Sequence, residues 1–215
     1  MDDEILPPAY AGGTDFFGDL ASGLYRLREQ VAERSSHVMA VWNDTDSPLA
    51  FFISFRTYGT WLHGDDRGSI DRYHNTFGGP RVPANATLHD QQRAKLKSKP
   101  FILDAKARTI IKVAIREVCE FRKWNLKAID VRTNHAHLVV PNYNILPDRM
   151  LRDFKAYSTR ALKKENLWNY DHSPWSDGGS KRYLWTEDQI WYACDYVLNG
   201  QGDRLPESFD ENGVE

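Results

Sequence analysis

Cysteine is scarce in this chain. Two occur in 215 residues, Cys119 and Cys194, each inside an apolar helical pattern. That excludes a disulfide framework and a cysteine-built zinc site, and it fits buried free thiols in a reducing compartment. Long hydrophobic runs are also missing; none approaches the roughly 20 apolar residues of a membrane span. The opening Met1-Asp2-Asp3-Glu4 lacks the basic and apolar regions of a signal peptide. The expectation is a cytoplasmic protein without a membrane partner. A strong net charge is absent as well, the formal balance being -2. With 41% hydrophobic and 27% charged residues, the composition is that of a soluble globular domain with a real core.

The small net charge hides an uneven distribution. Residues 1–50 carry nine acidic against three basic side chains, whereas residues 91–165 carry eighteen basic against seven acidic. The tail from Glu207 to Glu215 is acidic again. A basic centre of this kind is the footprint of a phosphate-backbone binder, although solvated helix faces would look the same on charge alone.

Pattern divides the chain into an N-terminal extension (1–48, weakly ordered), one domain (49–202) with a long loop at about 59–100, and an acidic tail (203–215) expected to be disordered from Glu207 on. Within the extension, Leu20 to Val31 has the spacing of a short helix. Leu49 to Tyr58, aromatic and β-branched, reads as a first strand. Asp104 caps a helix running to Trp124, with Ile110, Ile111, Ala114, Val118 and Phe121 on its apolar face. Leu126–Val131 and His135–Pro141 read as two strands joined by Arg132-Thr133-Asn134. Pro147 opens a second helix to Glu165; Met150, Leu151, Phe154, Tyr157, Ala161 and Leu162 are expected in the core. Ser176–Leu184 contains a fourth strand, and Thr186 caps a last helix to about Asn199, with Glu187 and Asp188 in its first turn. The order β-α-β-β-α-β plus a helix predicts an α+β protein of the ferredoxin-like, split βαβ kind. Its first and third strands are central, with the first two helices on one face of an antiparallel sheet.

The third strand carries the chemistry. In His135-Ala136-His137, the two imidazoles project side by side from one face while Ala136 and Leu138 face the core. Two neutral imidazoles so placed are half of a divalent-metal site. The last helix adds tyrosines. At 100° per residue, Ile190, Trp191, Ala193, Cys194, Val197 and Leu198 form one broad apolar face, and Tyr192 and Tyr196 point to the other side. Each reads equally as a snorkelling surface residue or as an exposed nucleophile. A phenol has a pKa near 10, so it needs a nearby cation or a strong electrophile to attack at neutral pH. A metal polarising a phosphate would supply one.

The run Asn134-His135-Ala136-His137-Leu138-Val139-Val140 resembles the His-hydrophobic-His motif of the HUH-superfamily single-tyrosine transposases, which include insertion-sequence enzymes and REP-associated tyrosine transposases. Glu187 to Gln201, with Tyr196-Val197-Leu198-Asn199-Gly200-Gln201, resembles their terminal helix. The similarity spans about residues 50–202. It implies a transposase-like strand transferase that cuts hairpin-bearing single-stranded DNA. The implied site has His135 and His137 on Mg²⁺ or Mn²⁺ and Tyr196 (runner-up Tyr192) as nucleophile, forming a 5′-phosphotyrosine. The family supplies a third ligand, Gln or Asn, one turn after the tyrosine. Here that position is Gly200, so Gln201, brought round by a helix loosened at the glycine, is favoured over Asn199. Arg56, Arg132, Lys155, Arg160, Lys181 and Arg182 are the candidate DNA contacts. Work in a prokaryotic cytoplasm, nucleoid-associated when bound and as a monomer or homodimer, follows from the same resemblance. Trp175, Tyr183 and Trp185 could stack on unpaired bases or pack in the core. In the long loop, His63, Asp65, Asp66, Arg67, Asp71, Arg72 and His74 offer ligands, phosphate contacts or plain solvated polarity. Two other readings stay open: a nucleic-acid-binding module of the same fold without chemistry, and an unrelated His-x-His metalloenzyme.

Overall fold

Ala50-Phe51-Phe52-Ile53-Ser54-Phe55 is apolar almost without interruption because both of its faces are covered. In the computed structural model, which describes residues 47–69 and 80–206, it forms β1 (Ala50–Arg56). The elements that follow are α1 (Ala86–Ala94), α2 (Ala105–Arg122), β2 (Ala128–Val131), β3 (His135–Pro141), α3 (Pro147–Lys164), β4 (Ser180–Leu184) and α4 (Glu187–Asn199). The strands make one antiparallel sheet in the order β2-β3-β1-β4. That is the expected ferredoxin-like topology, with the first and third strands at the centre. The Leu20–Val31 helix, nearly all of the extension 1–48 and the tail from 207 lie outside the described residues.

Strand alternation splits the core in two. Phe51, Ile53 and Phe55 of β1 and Ala136, Leu138 and Val140 of β3 pack under α2 and α3 with Ile111, Ile115, Val118, Met150 and Phe154. Ala50, Phe52 and Val139 face the other way and are covered by Ile190, Ala193 and Val197 of α4. Each covering helix starts where its sequence says it should. The Asp104 carboxylate accepts from the Ala107 N–H at 2.7 Å, and Thr186 Oγ1 accepts from Gln189 N–H at 3.2 Å. Lys123, left-handed at φ 58, ends α2, and Trp124 N–H returns to the Cys119 carbonyl at 2.7 Å. Tyr157 packs against the α2–α3 core, with the Arg160 guanidinium 4.4 Å over its ring.

Three expectations need correction. The stretch 59–100 is not loop throughout, since Asn85 caps α1, a helix with no buried residue and hence no apolar stripe to betray it. Phe121 is 71% exposed, because the buried stripe of α2 runs through Arg108, Ile111, Ile115, Val118 and Cys119 and has turned away by the last turn. Of the two free thiols only Cys119 is buried, and burial pushes it up to about 12; Cys194 is half-buried. No helix of the described residues is long and apolar enough to cross a membrane.

Leu138 is fully buried on the side of β3 opposite the histidines. Leu138→Ala should therefore lower the unfolding free energy by about 2–5 kcal/mol through lost contacts and a residual cavity. Urea denaturation followed by circular dichroism measures this, and a loss below about 1 kcal/mol would contradict the assignment of this face to the core.

Candidate active site

β3 carries His135, His137 and Val139 on the face covered by α4, and β1 faces them in register. Ser54 stands opposite His137, and Arg56 opposite His135. The two imidazole centroids are 4.5 Å apart. Ser54 Oγ is hydrogen-bonded to His137 Nδ1 at 2.8 Å, and Asn134 Oδ1 to His135 Nδ1 at 2.6 Å. Occupying both Nδ1 atoms fixes the ring orientations and leaves the Nε2 atoms as the ones a metal could reach.

Both rings are neutral at pH 7. Burial, reinforced by the charges of Arg56 and Arg132, pushes His135 down to about 4. Burial with His135, Arg56 and Arg132 holds His137 well below the ordinary histidine range. Protons would therefore compete little with a metal for these nitrogens.

A third polar group reaches the histidines from beyond α4. Gln201 is buried, with Oε1 3.3 Å from His135 Nε2, while its Nε2 donates to the Tyr196 carbonyl at 3.3 Å. That second bond sets the amide orientation and turns the oxygen toward the imidazole. A neutral His135 can donate to only one of Asn134 Oδ1 and Gln201 Oε1; with the proton on Nδ1, toward the closer Asn134, Nε2 would present a lone pair beside the amide oxygen. Two such donors, with His137 beside them, suit a divalent cation. Among the described residues no three His, Cys, Asp or Glu side chains gather to hold a metal. A metal centre at the two histidines would need a donor of another kind, such as an amide oxygen. Asn199 lies exposed, its Nδ2 bonded to Asp195 Oδ1 at 2.8 Å.

Gly200 is what allows this turn. A Cβ at position 200 would stand 2.7 Å from Tyr196 Cδ2 and 2.9 Å from the Tyr196 carbonyl oxygen. Only glycine lets the chain pass so close to the tyrosine and swing residue 201 back to the sheet.

Tyr196 is half-buried against the sheet, contrary to the outward face expected for it. Its ring centroid lies 5.9 Å from that of His137 and 6.2 Å, edge-on, from that of Phe52. Trp191 and Leu198, expected on the buried face, are 61% and 57% exposed. The apolar arc drawn at 100° per residue is too wide. Contact runs along Ile190, Ala193 and Val197, and Tyr196 flanks that line while the larger side chains overhang it. Tyr192 packs edge-on against Trp191 at 5.1 Å.

The candidate DNA contacts scatter. Arg56 and Arg132 border the histidines, and half-buried Arg182, lowered by burial, lies on the same sheet face opposite Phe52. Arg56 sits 3.5 Å over the Trp61 ring, pulled down to about 9 by burial and by Arg67 and Arg81. Lys155, lowered to about 8 by burial, donates to the carbonyls of Ser176 (2.7 Å) and Gly178, which ties down the loop before β4. Lys181 pairs with Asp148 on α3. Of the aromatics, Trp175 is core, edge-on to Phe55, while Tyr183 and Trp185 are exposed and near-parallel.

In the long loop, Asp65 grips Arg67 through both oxygens at 2.7 Å, and His63 meets Ser69 at 3.2 Å. Asp66 is exposed, and Asp71, Arg72 and His74 lie outside the described residues. Three site residues escaped the sequence reading. Ser54, a lone hydroxyl in an apolar strand, and Asn134, which heads the histidine run, carry a visible signal; Trp61 has none.

Residues 94–188 match the model of the family described as Transposase IS200 like. The match runs from the end of α1 to the start of α4 and contains both histidines, so the resemblance drawn from the histidine motif holds for the stretch that carries it. It stops short of Tyr196. A comparison with curated proteins found no match. Among solved structures, a REP-associated tyrosine transposase bound to a REP hairpin is similar with a TM-score of 0.41 and 12% identity, over 77% of this chain and 72% of that one.

The approach at position 200 makes a measurable claim. Gly200→Ala should destabilise the protein by about 1–3 kcal/mol through overpacking against Tyr196. Asn199→Ala, on the exposed side, should stay within about 0.5 kcal/mol. Equal stabilities of the two variants in urea would contradict the close approach.

Proposed function

We propose that this chain, IS200-transposase-like over residues 94–188, cuts and rejoins single-stranded DNA through a covalent link to Tyr196, using Mg²⁺ or Mn²⁺ held by His135, His137 and Gln201. One observation carries the reading. The end of a single helix brings a tyrosine ring within 5.9 Å of one strand histidine and an amide oxygen within 3.3 Å of the other. The resemblance suggests a hairpin-bearing strand as substrate, met in the cytoplasm, with the protein nucleoid-associated when bound.

Tyr196 Oη attacks the scissile phosphorus and gives up its proton to solvent. The bond from phosphorus to the 3′ oxygen breaks, and that oxygen takes a proton. The products are a 5′-phosphotyrosine and a free 3′-hydroxyl. Attack of a 3′-hydroxyl on the phosphotyrosine reverses the chemistry and rejoins a strand. A cation on the two imidazoles and the amide would polarise the phosphate and stabilise the leaving oxygen. Arg56, within electrostatic reach of both histidines and Tyr196, stabilises the negative charge that collects there. Ser54 and Asn134 keep the imidazoles oriented throughout. The binding-module reading drew its force from the missing side chain at position 200, and Gln201 weakens it.

Incubating end-labelled hairpin DNA with the protein and Mn²⁺ tests the proposal. A denaturation-resistant protein–DNA adduct is expected from the wild type and from Tyr192→Phe, and none from Tyr196→Phe or His135→Ala. An adduct surviving in Tyr196→Phe would remove the assigned nucleophile. Tight, salt-sensitive binding without any adduct would favour a binding module, and no DNA affinity would leave a metalloenzyme of another kind. An adduct restored by mixing the Tyr196→Phe and His135→Ala proteins would indicate a homodimer with shared sites.

A further inference from the structure

We infer that Arg132, in the β2–β3 turn, is a positioning residue for Gln201: with Arg108 of α2 holding the chain farther on, it straps down the irregular segment that presents Gln201 to the histidines. The inference rests on the reading of Gln201 as a metal ligand.

Residues 201–206 follow the end of α4 and belong to no helix or strand. Such a segment has no ladder of its own, and a ligand on it is placed only as firmly as its supporting bonds allow. Two guanidinium contacts to main-chain carbonyls supply these bonds. Arg132 Nη1 donates to the carbonyl of Asp203 at 2.9 Å, two residues beyond Gln201. Arg108 Nη2 donates to the carbonyl of Pro206. Both arginines are themselves held. Arg108 is buried and also donates to the Leu103 carbonyl at 3.3 Å, and Arg132 lies 3.9 Å from the Asp130 carboxylate. Gln201 is thus fixed on one side by the Tyr196 carbonyl and on the other by the Arg132 strap.

Charge and positioning predict opposite signs, which makes the inference testable. The Arg132 cation disfavours positive charge on both imidazoles. On electrostatics alone, its removal would strengthen Mn²⁺ binding. As a strap, its removal frees Gln201 and weakens it.

Mn²⁺ is titrated into the full chain by calorimetry, with the free ion followed by electron paramagnetic resonance and folding checked by circular dichroism. Arg132→Ala is expected to bind Mn²⁺ about tenfold more weakly, as supporting residues of metal ligands commonly do when removed. Gln201→Ala should lose a similar factor, and the double variant should be no weaker than Gln201→Ala alone, since one residue acts through the other. Arg132→Lys, which keeps a donor, should restore part of the loss. Mn²⁺ bound by Arg132→Ala as tightly as by the wild type, or more tightly, would overturn the inference, as would losses that multiply in the double variant. His135→Ala separates this from the larger proposal. If it leaves Mn²⁺ binding intact, the metal site itself is misplaced. If it abolishes binding while Arg132→Ala does not weaken it, only the strap falls.

Discussion

The antiparallel pairing of β1 with β3 is the constraint on which the rest depends. Its register sets Ser54 against His137 and Arg56 against His135. Because strand side chains alternate, a slip of one residue would turn Ala136, Leu138 and Val140 out of the α2–α3 core and drive both histidines into it. The core packing of one face thus dictates the position of the polar groups on the other. Burying two imidazoles is costly unless their nitrogens are bonded. Ser54 and Asn134 meet that requirement on one nitrogen of each ring, and the same burial keeps both rings neutral.

The second layer is α4, which closes the histidine face and brings Tyr196 and Gln201 to it from one end. Tyr196 and Gln201 are five residues apart rather than four, and Gly200 makes that spacing workable by letting the backbone pass against the tyrosine ring. The charges around the site pull in two directions. Arg56 and Arg132 create a field that suits phosphate and disfavours a bare cation, so a metal would bind best when an anionic strand accompanies it. Arg132 earns a separate role through its main-chain contact.

Much of the fold was legible beforehand because local signals agreed with one another. Asp104, Thr186 and Pro147 mark helix starts; the alternation in His135–Pro141 marks a central strand. Legibility failed where burial and sequence part company. An exposed helix such as α1 has no apolar period to read. Trp191, Leu198 and Phe121 are apolar residues that the neighbouring elements simply do not reach. Lys155 shows the converse: a cation read as a DNA contact has its ammonium engaged by loop carbonyls instead.

By itself the sequence determined that two histidines share one face of a central strand, since the period of a strand is local geometry and needs no partner. It also determined that a capped helix bearing tyrosines follows the fourth strand. Which tyrosine meets the histidines, and which amide joins them, was decided only by tertiary structure. Those choices depend on how α4 lies across the sheet and on where the chain turns after Gly200, and both are set by packing between elements distant in sequence.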